Sequence, residues 1–218
     1  MNLRRSISLA LVGAALVTAT AVPAVSASAP IDGPAGSVLD VLEADGTALD
    51  SNWYDFDILE VAARAVVDAK GAGTTVAQLA NPDAALTVFA PNDRAFQVLA
   101  HELTGKWFWT EAGVVNGLLG ALGPNAVDTL ETVLLYHVVG GKVDFATAKS
   151  LSGTSVPTVL GPTIKLKYYG WINTLVLVDQ DPNDFNPWVV NSKRNIETSN
   201  GKSIIHGIAL VLRPADLP

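Results

Sequence analysis

The 218-residue sequence contains no cysteine. A chain without thiols forms no disulfide and offers no thiolate nucleophile, no iron–sulfur ligand and no cysteine ligand for zinc. Its stability must therefore come from an ordinary hydrophobic core. With 49% hydrophobic residues the chain has ample material for one, which also excludes a disordered protein.

Charge is scarce, and positive charge is the scarcer sign. Only 16% of the residues are charged, with 14 basic against 21 acidic side chains and a formal net charge of -7. Nucleic-acid-binding proteins need a surplus of Lys and Arg to neutralise phosphates. We therefore expect no nucleic-acid partner.

The short motifs of common enzymes are missing as well. The sequence has no Gly-x-Ser-x-Gly elbow, no phosphate-binding glycine loop, no dinucleotide fingerprint and no His-Glu-x-x-His motif. Paired carboxylates of a glycosidase leave no such signature, because their separation is set in three dimensions. We expect a protein that is not an enzyme and has no cofactor, with a hydrolase as the lesser alternative.

The N-terminus has the three parts of a secretory signal peptide. Arg4 and Arg5 supply the positive start, residues 7–17 form a largely apolar run without charge, and residues 25–29 are mostly small. After them, no stretch approaches the 18 uninterrupted apolar residues of a membrane-spanning helix. The pattern predicts a secreted or cell-surface protein, and the lack of cysteine in an exported chain favours a bacterial source.

Small residues at the third and first positions before the cut place the cleavage site after Ala27. Residues 1–27 are therefore predicted to be the signal peptide. Residues 28–36 contain proline and glycine with little periodicity, which indicates a flexible leading segment. The folded domain is expected to cover residues 37–214.

Hydrophobic periodicity divides this domain into a helix-rich front half and a strand-rich back half. Helical spacing predicts helices at 37–43, 57–70, 75–79, 92–103, 110–122 and 125–138. A compact apolar run predicts one early strand at 86–90. Short runs rich in β-branched residues predict antiparallel strands at 142–145, 155–160, 163–169, 175–178, 188–190, 195–198 and 203–212. The order implies an α+β domain whose early strand joins the later sheet.

Three separated motifs carry a family resemblance. Residues 87–96 read Thr-Val-Phe-Ala-Pro-Asn-Asp-Arg-Ala-Phe, residues 134–139 read Leu-Leu-Tyr-His-Val-Val, and residues 200–214 join an Asn-Gly turn to Ile-Ile-His and Leu-Arg-Pro. In this order they resemble the fasciclin-like domain named after fasciclin I. The resemblance implies an antiparallel β-wedge or sandwich, flanked by helices that come mainly from the N-terminal half, and an adhesion-associated role.

The first motif has a structural explanation of its own. Phe89 and Phe96 flank a corner between a strand and a helix, Pro91 fixes the backbone there, and Asn92 is placed to cap the helix. These four residues are expected to be part of the folding framework.

The second motif is a candidate contact site. In animal members of the family the Tyr-His region has been linked to integrin binding, so the resemblance implies a binding role for Tyr136 and His137 if their rings are exposed. The alternative for His137, and for His206 in the third motif, is a buried histidine whose nitrogens are hydrogen-bonded.

The sequence departs from the family pattern at several points. Lys202 and Ser203 are inserted after the Asn-Gly turn, Gly207 stands where a β-branched residue is usual, and Ala209 replaces a common Asp. The segments 45–54 and 106–123 are longer than the family norm. We expect specificity to reside in these two insertions.

The longer insertion contains the strongest local sign of a partner surface. Trp107, Phe108 and Trp109 are adjacent, and neighbouring side chains diverge on a helix or a strand, so the three rings cannot all face one core. At least one should be partly exposed, where it would suit protein or glycan contacts. Packing of the insertion onto the domain is the alternative.

An acidic loop is a weak candidate for calcium. Asp179, Asp181 and Asn183 place oxygen ligands at alternate positions, as in the first half of a calcium loop. The second half fails, because Asp184 stands at the glycine position and Val190 at the position of the bidentate Glu. A polar hairpin loop without metal is the alternative, and no other metal site is predicted.

These observations predict a secreted, non-catalytic module for cell-surface or matrix adhesion through an extracellular protein or glycan. The alternative is a binding protein for a small apolar or sugar ligand held in a cleft between helices and sheet. A closed cavity lined by Trp and Tyr would favour the alternative, an open aromatic patch would favour adhesion, and carboxylates converging in a groove would favour a hydrolase.

Overall fold

The computed structural model describes residues 35–44, 46 and 48–215. The predicted signal peptide, and all but the last two residues of the predicted leading segment, lie outside these residues. The described chain contains six α-helices and two β-sheets, which confirms the α+β class.

Four of the six described helices begin after a capping side chain. The six helices are α1 (Val38–Leu42), α2 (Asp57–Lys70), α3 (Asp93–Thr104), α4 (Glu111–Leu122), α5 (Ala126–Tyr136) and α6 (Phe145–Ser150), with 3-10 turns at Thr75–Ala80, Gly123–Asn125 and Asn191–Lys193. An oxygen of the preceding Ser37, Asn92, Thr110 or Asp144 accepts a hydrogen bond from the first turn of α1, α3, α4 and α6. Each bond satisfies an amide that the helix itself leaves without a partner.

The strands form two sheets. They are β1 (Leu86–Pro91), β2 (Val138–Gly140), β3 (Ser155–Pro157), β4 (Thr163–Tyr169), β5 (Thr174–Val178), β6 (Ile196–Glu197) and β7 (Ile204–Ile208). The first sheet has the order β2-β1-β7-β6 and the second β3-β4-β5. The early strand β1 therefore joins the later strands, as predicted.

The first sheet differs from the expected antiparallel arrangement in one pairing. β1 and β7 run parallel, in a register from Thr87 opposite Ile204 to Pro91 opposite Ile208, whereas the other pairs are antiparallel. Parallel strands need a long crossover connection. Here the connection is most of the domain, so no local sequence signal announces it.

The predicted strand at 142–145 is wrong. Its β-branched and aromatic residues lead instead into α6, because Asp144 Oδ1 accepts a hydrogen bond from the Thr147 amide and starts a helix. The predicted strand at 188–190 is reduced to two isolated bridges, from Trp188 to Val176 and from Val189 to Ile208. Capping and tertiary pairing outweigh the local β preference of these runs.

The mixed sheet separates two hydrophobic cores. Val88 and Ala90 of β1 face the core formed with α2 to α5, while Phe89 between them faces the core shared with the second sheet. Alternate side chains of a strand point to opposite faces, so this one strand contributes to both cores. Helices α1 to α5 consequently cover one side of the first sheet, and the second sheet together with α6 covers the other.

Gly207 explains one departure from the family pattern. A Cβ built on this residue of β7 would lie 2.7 Å from Lys193 Cβ and 3.3 Å from Phe56 Cζ. We therefore expect Gly207→Ala to lower the free energy of unfolding by about 2 kcal/mol through overpacking. Urea denaturation measures this loss of stability. The matched control is Gly140→Ala in β2, where the added methyl group meets no atom within 4 Å. Equal losses in both variants would contradict the close approach.

Candidate functional site

Two tryptophans are exposed on the loop between α3 and α4. Trp107 is 42% exposed and Trp109 is 76% exposed. Phe108 between them turns inward onto α4, where a Cβ on Gly117 would lie 2.5 Å from Phe108 Cζ. The rings therefore alternate between solvent and the domain. We call Trp107 and Trp109 the aromatic patch.

Side chains of α3 hold the aromatic patch in place. The His101 ring stacks on Trp107 with centroids 4.1 Å apart and an interplanar angle of 13°, and the Arg94 guanidinium lies 5.6 Å from the same ring. Trp109 stacks on Trp107 at 6.5 Å. Below the rings, Gln97 Nε2 donates a hydrogen bond to the loop backbone at Phe108. The patch is thus a supported stack of rings rather than isolated side chains.

Other exposed aromatic residues are Tyr54, before α2, and a group on the second sheet and the loop that follows it. Trp171, in the turn between β4 and β5, is 84% exposed, and Phe185 and Trp188 in the loop after β5 are also exposed. Tyr168 and Tyr169 at the end of β4 are half-buried. None of the described ring-to-ring stacking contacts involves Trp171, Phe185 or Trp188, which distinguishes them from the aromatic patch.

Tyr136 and His137 lie inside the domain. Both are buried, and Tyr136 Oη donates a hydrogen bond to the Thr163 carbonyl at 3.0 Å. Burial raises the pKa of Tyr136 to about 12. His137 Nδ1–H donates to the Val133 carbonyl at 2.7 Å, and Nε2 accepts from the Leu212 amide at 2.9 Å. Their geometry is that of satisfied core residues and presents neither ring to a partner.

His206 has the same kind of environment. Its Nε2–H donates to the Val143 carbonyl at 3.0 Å, and Nδ1 accepts from the Asn195 amide at 3.3 Å. The ring stacks on Phe89 at 5.8 Å, and burial lowers the pKa of His206. Two neutral histidines thus connect backbone segments that are distant in sequence.

The first motif is placed at the corner between β1 and α3. Asn92 Oδ1 accepts a hydrogen bond from the Ala95 amide at 3.0 Å, directly after Pro91 ends the strand. Phe89 and Phe96 are buried in the two different cores. These residues build the framework and form no accessible site.

Carboxylates of the acidic loop after β5 form ion pairs with an arginine side chain. Arg213 forms ion pairs with Asp181 at 3.2 Å, with Asp184, and with Glu102 of α3. The backbone amide of Arg213 donates to Asp179 Oδ2 at 2.9 Å, and Asp181 Oδ1 accepts from the Asn183 amide. The oxygen atoms that suggested calcium in the sequence are thus engaged with protein donors.

The structure contains a buried acidic cluster that the sequence did not predict. It is made of Asp55, Asp93 and Glu111. Asp93 and Glu111 are the first residues of α3 and α4, and Asp55 lies just before α2, so three helix starts converge. One oxygen of each carboxyl lies within 4.8 Å of the others. In the sequence, Asp93 and Glu111 resemble ordinary first-turn acids, and no signal shows that the helix starts meet.

Burial perturbs the ionisation of this cluster. Burial and the neighbouring Asp55 carboxyl raise the pKa of Asp93 to about 9, and burial raises the pKa of Glu111 to about 7. The three side chains are almost completely shielded from solvent. A glycosidase needs its carboxylates on either side of a bound substrate, whereas these three carboxyl groups lie in the interior of the described domain.

A cleft on the helical side of the domain is mostly apolar. It has a volume of about 340 Å³ and lies between α3, α4, α5 and residues 214–215. The described residues that line it include Leu103, Leu122 and Leu130 but no Trp or Tyr. Specific ligand pockets usually combine apolar walls with a few converging polar groups. Phe96 is the aromatic residue in the described lining of this cleft, which therefore lacks the Trp and Tyr expected for the small-ligand alternative.

The family model of the fasciclin domain matches residues 62–214. The chain belongs to the fasciclin domain family. Among solved structures, it is similar to a FAS1 domain pair from the insect cell adhesion molecule fasciclin I, with 15% identity and a TM-score of 0.45. That match covers 69% of this chain and 43% of the other, so the chain spans less than half of the insect structure. No curated protein matches.

Membership sets the general class of this fasciclin domain. Fasciclin domains are typically non-catalytic, adhesion-related modules located outside cells or at their surface. Within the described part of the chain, every helix is too short or too polar to cross a membrane.

Proposed function

We propose that this fasciclin domain is a secreted, non-catalytic adhesion module that contacts an extracellular protein or glycan through the aromatic patch. The observation that carries the proposal is the exposure of Trp109 on a loop that is otherwise firmly held. Secretion is supported by the three-part signal sequence of residues 1–27.

The aromatic patch has the properties of an interaction hot spot. Tryptophan contributes a large apolar area at little conformational cost, and exposed aromatic groups on a monomer mark contact sites. His101 and Arg94 hold Trp107 in one orientation, so little side-chain entropy remains to be lost on binding. Tyr136 and His137, by contrast, would have to leave the core before they could touch a partner.

Substitution of the patch tests the proposal. We expect Trp109→Ala to weaken binding to the captured partner at least about tenfold, because truncation of a hot-spot residue costs about 2 kcal/mol. The melting temperature should change little, since most of this side chain already faces solvent. Partners are first captured with a glycan array and with purified cell-envelope proteins, and affinity is then measured by surface plasmon resonance.

Trp171→Ala is the matched control, because Trp171 is equally exposed but lies on the second sheet. We expect it to bind as the unmodified protein does. Full binding by a folded Trp109→Ala variant, or a loss confined to Trp171→Ala, would contradict the proposal.

A further inference from the structure

The acidic cluster has no cationic partner among the described side chains. Asp55 is 2% exposed, and Asp93 and Glu111 are 0% exposed. None of the ion pairs in the described part of the chain involves any of the three. An ionised carboxylate removed from water without a partner costs several kcal/mol.

Each carboxyl also has an oxygen without a hydrogen-bond partner. These atoms are Asp55 Oδ1, Asp93 Oδ2 and Glu111 Oε1. The second oxygens of Asp93 and Glu111 are engaged, because they accept hydrogen bonds from the amides of Ile58 at 2.8 Å and Asp50 at 2.5 Å. The backbone therefore holds one oxygen of Asp93 and one oxygen of Glu111, and the other oxygen of each has no amide donor.

The convergent helix starts do not remove the imbalance. The N-terminus of a helix stabilises a nearby negative charge by about 1 kcal/mol, which is less than the cost of burying one unpaired carboxylate. Elsewhere the same domain neutralises Asp181 and Asp184 with the guanidinium of Arg213. No such cation reaches the acidic cluster among the described residues.

The geometry fits a cation at the centre. Two oxygens on opposite sides of an ion with metal–oxygen distances of about 2.4 Å are about 4.8 Å apart, and calcium binds oxygen at such distances. The oxygens of the acidic cluster lie within 4.8 Å of one another. Asp55 also belongs to a second group of close carboxylates, with Asp50 and Asp57.

We propose that the domain binds one calcium ion at the acidic cluster, with Asp55, Asp93 and Glu111 as ligands. Carboxylate oxygens select a hard cation. Magnesium dehydrates reluctantly and usually keeps several waters, whereas a shielded site made of protein oxygens suits calcium. The ion would join the loop before α2 to the starts of α3 and α4, and this inference does not depend on the role of the aromatic patch.

Calcium titration of the full chain tests the proposal. The protein is stripped with EDTA, dialysed into chelator-free buffer at pH 7.5, and followed by isothermal titration calorimetry and thermal unfolding. We expect one bound ion per chain. At a calcium concentration one hundred times the dissociation constant, the melting temperature should rise by roughly 5 to 10 °C.

Two variants locate the ion. Asp93→Asn keeps an oxygen acceptor for the Ile58 amide but removes a negative ligand, so calcium affinity should fall at least about tenfold. The melting temperature of the metal-free variant should not fall, because the substitution removes an acidic group from a buried cluster that has no cationic partner. Asp184→Asn, in the acidic loop paired with Arg213, is the control and should bind calcium normally.

Three results would overturn the proposal. The absence of both binding heat and a shift in melting temperature at millimolar calcium would mean that shared protons, and not an ion, neutralise the acidic cluster. Loss of binding in Asp184→Asn but not in Asp93→Asn would place the ion in the acidic loop. An equal melting shift with magnesium would refute the choice of calcium. Glu111→Gln provides a second ligand variant should Asp93→Asn fail to fold.

Discussion

Between pH 7 and pH 4 the domain should lose about 3 kcal/mol of stability through His137 alone. Burial lowers the pKa of His137 from 6.5 to about 4. In the unfolded chain the imidazole takes up a proton below pH 6.5, whereas in the folded chain it does so only near pH 4. The loss therefore begins as the pH falls through 6.5 and is nearly complete at 4, at about 1.4 kcal/mol for each unit of pKa difference.

The hydrogen bonds of His137 explain why the folded state resists the proton. Nδ1–H already donates to the Val133 carbonyl, so the free site for a proton is Nε2. That nitrogen accepts from the Leu212 amide, and a protonated Nε2 would point a second N–H at the same donor. Protonation would therefore break the connection between α5 and the C-terminal segment.

Urea unfolding between pH 7 and pH 4 measures this effect when the protein is compared with His137→Gln. Glutamine does not titrate, so the variant should be less stable at pH 7, and the gap should narrow by about 3 kcal/mol at pH 4. The comparison is needed because the raised pKa values of Asp93 and Glu111 make the folded state more stable as the pH falls, which opposes the effect of His137. A gap that is constant with pH would contradict the role of His137.

Arg213→Met should lower the free energy of unfolding by about 3 to 5 kcal/mol. The Arg213 side chain is buried and pairs with Asp181 and Asp184 after β5 and with Glu102 in α3. Methionine keeps the packing volume but leaves the buried Asp181 carboxylate without its charge partner. Removal of one partner from a buried ion pair lowers the stability by this amount, because the remaining charge stays in the interior without a partner.

Thermal and urea unfolding of a small variant set checks this prediction. The double variant Arg213→Met with Asp181→Asn should recover much of the loss, since the stranded charge is removed. Lys202→Met is the surface control, because the pair of Lys202 with Asp83 is exposed and should contribute little. Equal losses in Arg213→Met and Lys202→Met would show that the buried arginine has no special role.

Local sequence signals predicted the elements that depend on local physics. The corner formed by Pro91 and Asn92 and the exposure within residues 107–109 follow from capping and from the divergence of adjacent side chains. Phe108 is the ring that turns inward, because it packs against Gly117 on α4. This is a tertiary contact that the order of the three aromatic residues in the sequence cannot show. The strand prediction for 142–145 was wrong because it rested on the β-branched and aromatic residues and overlooked Asp144 as a helix cap.

The features that were missed depend on residues far apart in the chain. The acidic cluster exists only because the starts of α2, α3 and α4 meet, and each acid taken alone is an ordinary first-turn residue. The acidic loop shows the reverse situation. Its ligand-like spacing is visible in the sequence, whereas Arg213, which occupies it, lies in the last described segment.

The parallel pairing of β1 with β7 has a consequence for biosynthesis. More than half of the chain lies between Thr87 and its partner Ile204, so β1 has no neighbour on that edge until the ribosome has made nearly the whole polypeptide. Pairing over such a distance slows folding, because the intervening loop must close first. A nascent chain built this way cannot complete the pairing of its first sheet until the residues of β7 have been synthesised.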